Sequence, residues 1–128
     1  MKDLDSREFA CIIARIMNDK LALDIEILNI GSVSTFADYF VICSATSSVH
    51  VKTLTNHISG TIKNLYERLP QKEERDLKNR WNLINYSDVI VHIMSQEERK
   101  YYALEKFWSH SYKISADEWM EKTKNMKF

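Results

Sequence analysis

Six consecutive residues, Val89-Ile90-Val91-His92-Ile93-Met94, form an almost unbroken β-branched run that leads directly into a helical pattern beginning at Ser95. No other stretch restricts the chain as strongly. Just upstream, Trp81-Asn82-Leu83-Ile84-Asn85 is a shorter β-type run, and Asn85-Tyr86-Ser87-Asp88 has turn chemistry, so the spacing predicts a hairpin. Ser95 can N-cap the following helix, whose first turn holds Glu97 and Glu98 at the positive end of the macrodipole. That helix is expected to continue to about Ser109. With Tyr101 set at zero on the helical wheel, Leu104, Glu105 and Trp108 fall within about 60°, Tyr102 near 100° and Phe107 near −120°. One buried face cannot take all of these rings, so the stretch reads as core and contact surface together.

A chain of 128 residues, 45% hydrophobic, suits one globular domain able to remove roughly two-thirds of its extended surface from water. Lysine and arginine total 18, as do aspartate and glutamate, so no overall positive field draws the chain onto phosphates or anionic lipid. Cys11 and Cys43 are not spaced as a redox or metal pair, which fits a reducing cytosol. No signal-peptide succession is present and the apolar runs are of strand length, so the expectation is a soluble, cytoplasmic protein.

Asp5 or Ser6 can cap a first helix with Phe9, Ile12, Ile13, Ile16, Met17 and Lys20 on one side and Cys11 opposite, facing solvent. Asp24 to Ile30 alternates as a strand, and Asp38 to Ser44 is apolar on both sides, as a central strand would be. The longest helix follows, with a stripe of Val51, Leu54, Ile58, Ile62, Leu65 and Leu69 that Pro70 terminates. Gln71 to Arg80 reads as a solvated connection, and Ser115-Ala116-Asp117-Glu118 as a capping box opening a short last helix. The order α-β-β-α-β-β-α-α predicts an α/β single domain, a mixed β-sheet covered by helices.

The histidines at 50, 57, 92 and 110 do not form a ligand set: His50 and His57 lie about 10 Å apart along one helix flank, too far to share an ion. Gly31-Ser32 before a strand carrying Asp38 faintly resembles nucleotidyltransferases, but Phe40 stands where the second carboxylate of a D-x-D pair would be. The aromatic excess is the stronger signal. Seven of the fourteen aromatic residues lie at Trp81, Tyr86 and from Tyr101 to Tyr112, and tyrosine and tryptophan dominate interface energetics.

Two long segments resemble the ribosomal silencing factors, also called Iojap-like proteins. Phe36-Ala37-Asp38-Tyr39-Phe40-Val41-Ile42-Cys43-Ser44-Ala45-Thr46-Ser47-Ser48, with His50 after it, is similar to that family's D-Y-F-V-I-x-S-G-T-S-S-R-H. Trp81 to His92 is similar to W-x-L-I-D-Y-G-D-V-V-V-H, and Glu97 to Trp108 to E-x-R-x-x-Y-x-L-E-x-L-W. Departures are Ala45 and Ser87 for glycine, Val49 for arginine, Asn85 for aspartate, and the missing glycines before Trp81. The resemblance covers about residues 6 to 109, giving a domain at 1–109 and a C-terminal helical extension at 110–128.

The resemblance implies a compact α/β fold distantly like nucleotidyltransferases, usually homodimeric, without catalytic carboxylates or cofactor. It also implies that the chain binds the large ribosomal subunit through ribosomal protein L-fourteen and blocks joining of the small subunit; the even charge balance makes rRNA contact at most secondary, and the short apolar runs leave no expectation of a membrane. The residues expected at that contact, or supporting it, are Trp81, Tyr86, Asp88, His92, Tyr101 and Trp108. Two alternatives stay open: a Mg-dependent nucleotidyltransferase-like enzyme in which Asp38 and Asp88 meet, and a homodimeric assembly module whose aromatics serve self-association.

Overall fold

The computed structural model describes residues 4–32, 34–107 and 112–128. Its elements are α1 (Ser6–Asp19), β1 (Leu23–Asn29), β2 (Tyr39–Ala45), α2 (Ser48–Tyr66), β3 (Lys72–Glu74), β4 (Trp81–Asn85), β5 (Val89–Ser95), α3 (Gln96–Tyr102), α4 (Leu104–Phe107), β6 (Tyr112–Ile114) and α5 (Ala116–Thr123). Among the described residues the strands form one mixed sheet in the order β3-β4-β5-β2-β1-β6, in which β2 and β5 run parallel and the other neighbours antiparallel. β2 is buried along its whole length near the middle, as its two-sided apolar sequence predicts. No helix is long and apolar enough to cross a membrane among the described residues.

Alternation along the strands divides the sheet into two faces. Ile27, Val41, Cys43, Val91 and Ile93 point into the main core beneath α1 and α2. Leu28, Phe40, Ile42, Ile90 and Met94 point the other way, where partly buried Trp81, Leu83 and Leu104 pack on them. The hairpin between β4 and β5 forms as expected, and Ser87 takes φ 81° in its turn, a left-handed conformation that glycine would adopt without strain.

Several details differ from expectation. The segment after Pro70 is not all connection, because Lys72–Glu74 pairs with β4 as an exposed edge strand. An edge strand held through its backbone needs no apolar alternation, so its charged sequence hides it. For the same reason the three-residue β6, paired with β1, leaves little trace. α2 ends at Tyr66, where Glu67 takes the left-handed cap, before Pro70 is reached, and Leu65 and Leu69 are exposed rather than part of the buried stripe. The aromatic helix does not run on to Ser109: it stops at Tyr102, with Ala103 left-handed, and a short α4 follows.

Cys11 is buried, not solvent-facing. α5 lies across the outer side of α1, tied by the Arg7–Glu118 ion pair and by Arg15 donating to the Thr123 carbonyl at 2.6 Å. Burial accordingly pushes the Cys11 thiol pKa up. The segment from 112 onward, read from the sequence as an extension, thus supplies both an edge strand and the cover of α1.

Candidate docking site

On the sheet face opposite α1 and α2, six rings among the described residues follow one another from Phe36, just before β2, to α3. Phe36 lies 6.2 Å from Phe40, Phe40 meets the His92 ring edge-on at 4.6 Å, and His92 is 5.9 Å from Trp81. Trp81 is 4.8 Å from Tyr102, which Tyr101 meets edge-on at 5.0 Å. Burial changes along this series. Phe40 and His92 are buried, Trp81 is half-buried, and Phe36, Tyr102 and Tyr101 are exposed, Tyr101 to 80%. The row is therefore rooted in the sheet at its centre and opens to solvent at both ends.

Local sequence sets this placement. Trp81 and Leu83 alternate with Asn82 and Ile84 on β4, so the former face the rings while Asn82 reaches Thr55 of α2 at 3.1 Å. Asn82 also accepts the Asp76 N–H at 3.0 Å, which holds the loop leading into Trp81. His92 alternates with Val91 and Ile93 and stands opposite Leu83. The Ser95 hydroxyl accepts the Glu98 N–H at 3.1 Å, starting α3 close enough to the sheet for Tyr102 to reach Trp81.

The chemistry at the root of the row is fixed by one hydrogen bond. Trp81 Nε1–H donates to His92 Nδ1 at 3.2 Å, which places the imidazole proton on Nε2. His92 is buried, and Nε2 has no hydrogen-bond partner among the described residues. Burial first, and then the nearby Arg99 cation, bring its pKa down to about 4, so the ring is neutral at neutral pH.

Those of the expected contact residues that are described divide into two sets. Trp81, His92 and Tyr101 belong to the ring series. Tyr86 does not: it is 2% exposed, on the helix-covered side, edge-on to Phe9 at 5.0 Å. Asp88 is at the same far end of the hairpin, accepting from Arg68 at 2.5 Å. Trp108, like His110, lies outside the described residues. Phe36, Phe40 and Tyr102 are the members that single-residue reasoning passed over. Phe40 reads as core and Tyr102 falls off the Tyr101 stripe, and only the tertiary arrangement joins them.

Asp38 and Asp88 do come together. Ser6 Oγ is 3.0 Å from an oxygen of each, and one hydroxyl proton can serve only one carboxylate at a time. Arg68 already neutralises Asp88 and also donates to the Tyr86 carbonyl at 2.7 Å. Among the described residues no group of three or more His, Cys, Asp or Glu could hold a metal ion. His50 is occupied structurally, its Nδ1 accepting the Thr46 N–H at 3.0 Å and its Nε2 lying 2.9 Å from the Lys20 carbonyl.

Fold and surface together define a small single-domain α/β protein with a row of aromatic side chains on the sheet face away from its two long helices. The chain belongs to the ribosomal silencing factor family: the family model described as ribosomal silencing factor during starvation matches residues 3–128. A ribosomal silencing factor of Bacillus subtilis is 33% identical over 105 residues, 82% of this chain and 88% of that protein. A Mus musculus protein named mitochondrial assembly of ribosomal large subunit protein 1 is 26% identical over 104 residues, 77% of this chain and 44% of the mouse protein. A crystal structure from Chromobacterium violaceum has the same fold, with a TM-score of 0.78 at 23% identity, covering 83% of this chain and 88% of that one.

Proposed function

We propose that this chain binds the large ribosomal subunit through ribosomal protein L-fourteen, by way of the ring series, and blocks the small subunit by occupying the joining face. The exposed end of that series, Trp81 with Tyr102 and Tyr101, is the observation that carries the reading. Aromatic side chains bury much area at small entropic cost and are enriched at the energetic centres of protein interfaces. Family membership supports the silencing role, and the name of the mouse relative supports a large-subunit partner. The balance of 18 cationic and 18 anionic side chains suits a protein dock better than a hold on bare rRNA. On this reading the protein acts by steric exclusion, without catalysis, as a cytoplasmic homodimer.

Co-sedimentation with purified large and small subunits over a range of salt tests the proposal. Saturable binding to the large subunit alone, with weak salt dependence, is the expected result. Binding to both subunits only at low salt would sink it, and mass measured across a dilution series tests the dimer separately. One observation favours a second reading, the approach of Asp38 and Asp88 at Ser6. A rise in melting temperature on adding nucleotide with Mg²⁺, absent with either alone, would support that nucleotidyltransferase-like alternative.

A further inference from the structure

Helix α3 carries two of the exposed rings, yet of its seven residues the only buried one is charged: Arg99, 7% exposed. An isolated helix of this length is not stable in water, so its position depends on how it is fastened. One fastening is the Ser95 cap. A second is the Arg99 guanidinium, which crosses to two strands. Nη1 donates to Ser44 Oγ on β2 at 3.2 Å, and Nη2 lies 3.5 Å from Glu26 Oε2 on β1. The other Glu26 oxygen accepts from Lys113 of β6 at 3.0 Å. Ser44 and Glu26 lie on the ring-bearing face, so the clamp draws α3 down onto the surface that supports Trp81 and Tyr102.

Arginine suits this task for a geometric reason. Its planar fork can reach a hydroxyl and a carboxylate on adjacent strands at once, whereas an apolar side chain would leave the rotation of the helix undetermined. Buried ion pairs add little net stability, because desolvation offsets the attraction, but they can select one arrangement among several. The helix end is fixed by the backbone, the carbonyl of Arg99 accepting the N–H of left-handed Ala103 at 3.0 Å immediately after Tyr102, a bond that a side-chain change at Arg99 leaves in place.

We propose that Arg99 is a positioning residue of the docking site: through Ser44 and Glu26 it sets where α3 holds Tyr101 and Tyr102 beside Trp81, and so sets affinity without touching the partner. This rests on the docking reading above. Arg99→Met keeps the apolar stem and removes the fork. It should weaken binding to large subunits at least tenfold, with Arg99→Lys intermediate because an ammonium cannot reproduce the fork. Combined with Tyr101→Ala and Tyr102→Ala, Arg99→Met should cause no further loss, since the rings it positions are gone. In the free protein, α3 amides of Arg99→Met should exchange hydrogen at least tenfold faster while β5 amides keep their protection.

Unchanged binding, a full additional loss in the combined variant, or unchanged α3 exchange would each overturn the proposal. If Arg99→Met does not fold, Glu26→Gln removes the negative charge at that contact while preserving shape. It should give the same pattern of weaker binding and faster α3 exchange, and parental behaviour in both would overturn the proposal equally. A parent protein that fails to bind large subunits overturns the docking reading itself. The exchange experiment, which needs no ribosome, separates that failure from a failure of the clamp.

Discussion

The two ends of the β4–β5 hairpin carry similar side chains in opposite circumstances. At one end Trp81, hydrogen-bonded to His92, leads outward to Tyr102 and Tyr101 in solvent. At the other, about 20 Å away along β5, Tyr86 is packed against Phe9 with the Arg68 guanidinium over the Phe9 ring at 4.2 Å. An aromatic residue near the hairpin turn thus holds α1 on the sheet, while one near the hairpin's open end is available to a partner. Proximity in sequence to an exposed ring says little about role. The position relative to the covering helices decides it.

Tyr86→Ala should give the largest effect and tests the buried end. Removing the ring leaves a cavity between α1 and the sheet, with an expected loss of about 3–4 kcal/mol in denaturant unfolding. Any loss of ribosome binding should then follow the folded fraction alone. If Tyr86→Ala instead folds normally and binds weakly, the proposed division between the two ends is broken.

The root of the ring series has a pH signature. His92 is a base whose pKa is lowered to about 4 in the fold, while the unfolded chain takes up its proton near 6.5. The unfolded state therefore binds more protons between those values, so stability is full above about pH 6.5 and is lost as pH falls toward 4. His92 should account for about 2–3 kcal/mol of that loss. His92→Gln retains an acceptor for Trp81 and should flatten the profile between pH 6.5 and 4; identical profiles would show that this histidine is not held neutral.

Trp81→Ala sharpens the comparison from the open end. Affinity for the large subunit should fall about thirtyfold, or about 2 kcal/mol, with a smaller change in stability because the ring is only half-buried. Unchanged binding by the folded variant would remove Trp81 as an anchor. The smallest effect is expected for Asp88→Asn: its ion pair with Arg68 is about a third exposed and should contribute less than about 1 kcal/mol. Ribosome binding should be unaffected, and a tenfold loss would place the far end in the interface after all.

The chain itself made the main elements legible. The two-sided apolar strand from 39 to 45, the capped hairpin-to-helix succession and the stripe from Val51 to Ile62 all come from periodicity, which burial imposes directly on sequence. The concentration of tyrosine and tryptophan beyond what one face can bury also pointed to a contact surface, and two motifs in order pointed to the family. β3 and β6 were not legible, because backbone pairing at a sheet edge places few demands on side chains. The break at Ala103 was not legible either, since alanine is a good helix former that here adopts φ 46°.

What the sequence determined by itself is therefore local: which segments alternate, where caps can form, and that there are more rings than one helix face can cover. Tertiary structure decided which side of each residue is covered. α5 closes over Cys11, Arg99 is buried beneath its own helix, and Tyr86 and Trp81 are parted to opposite faces. The physical reason is that burial depends on what packs from elsewhere in the chain. A helical wheel gives direction around an axis, but only the packed neighbours determine whether that direction meets solvent.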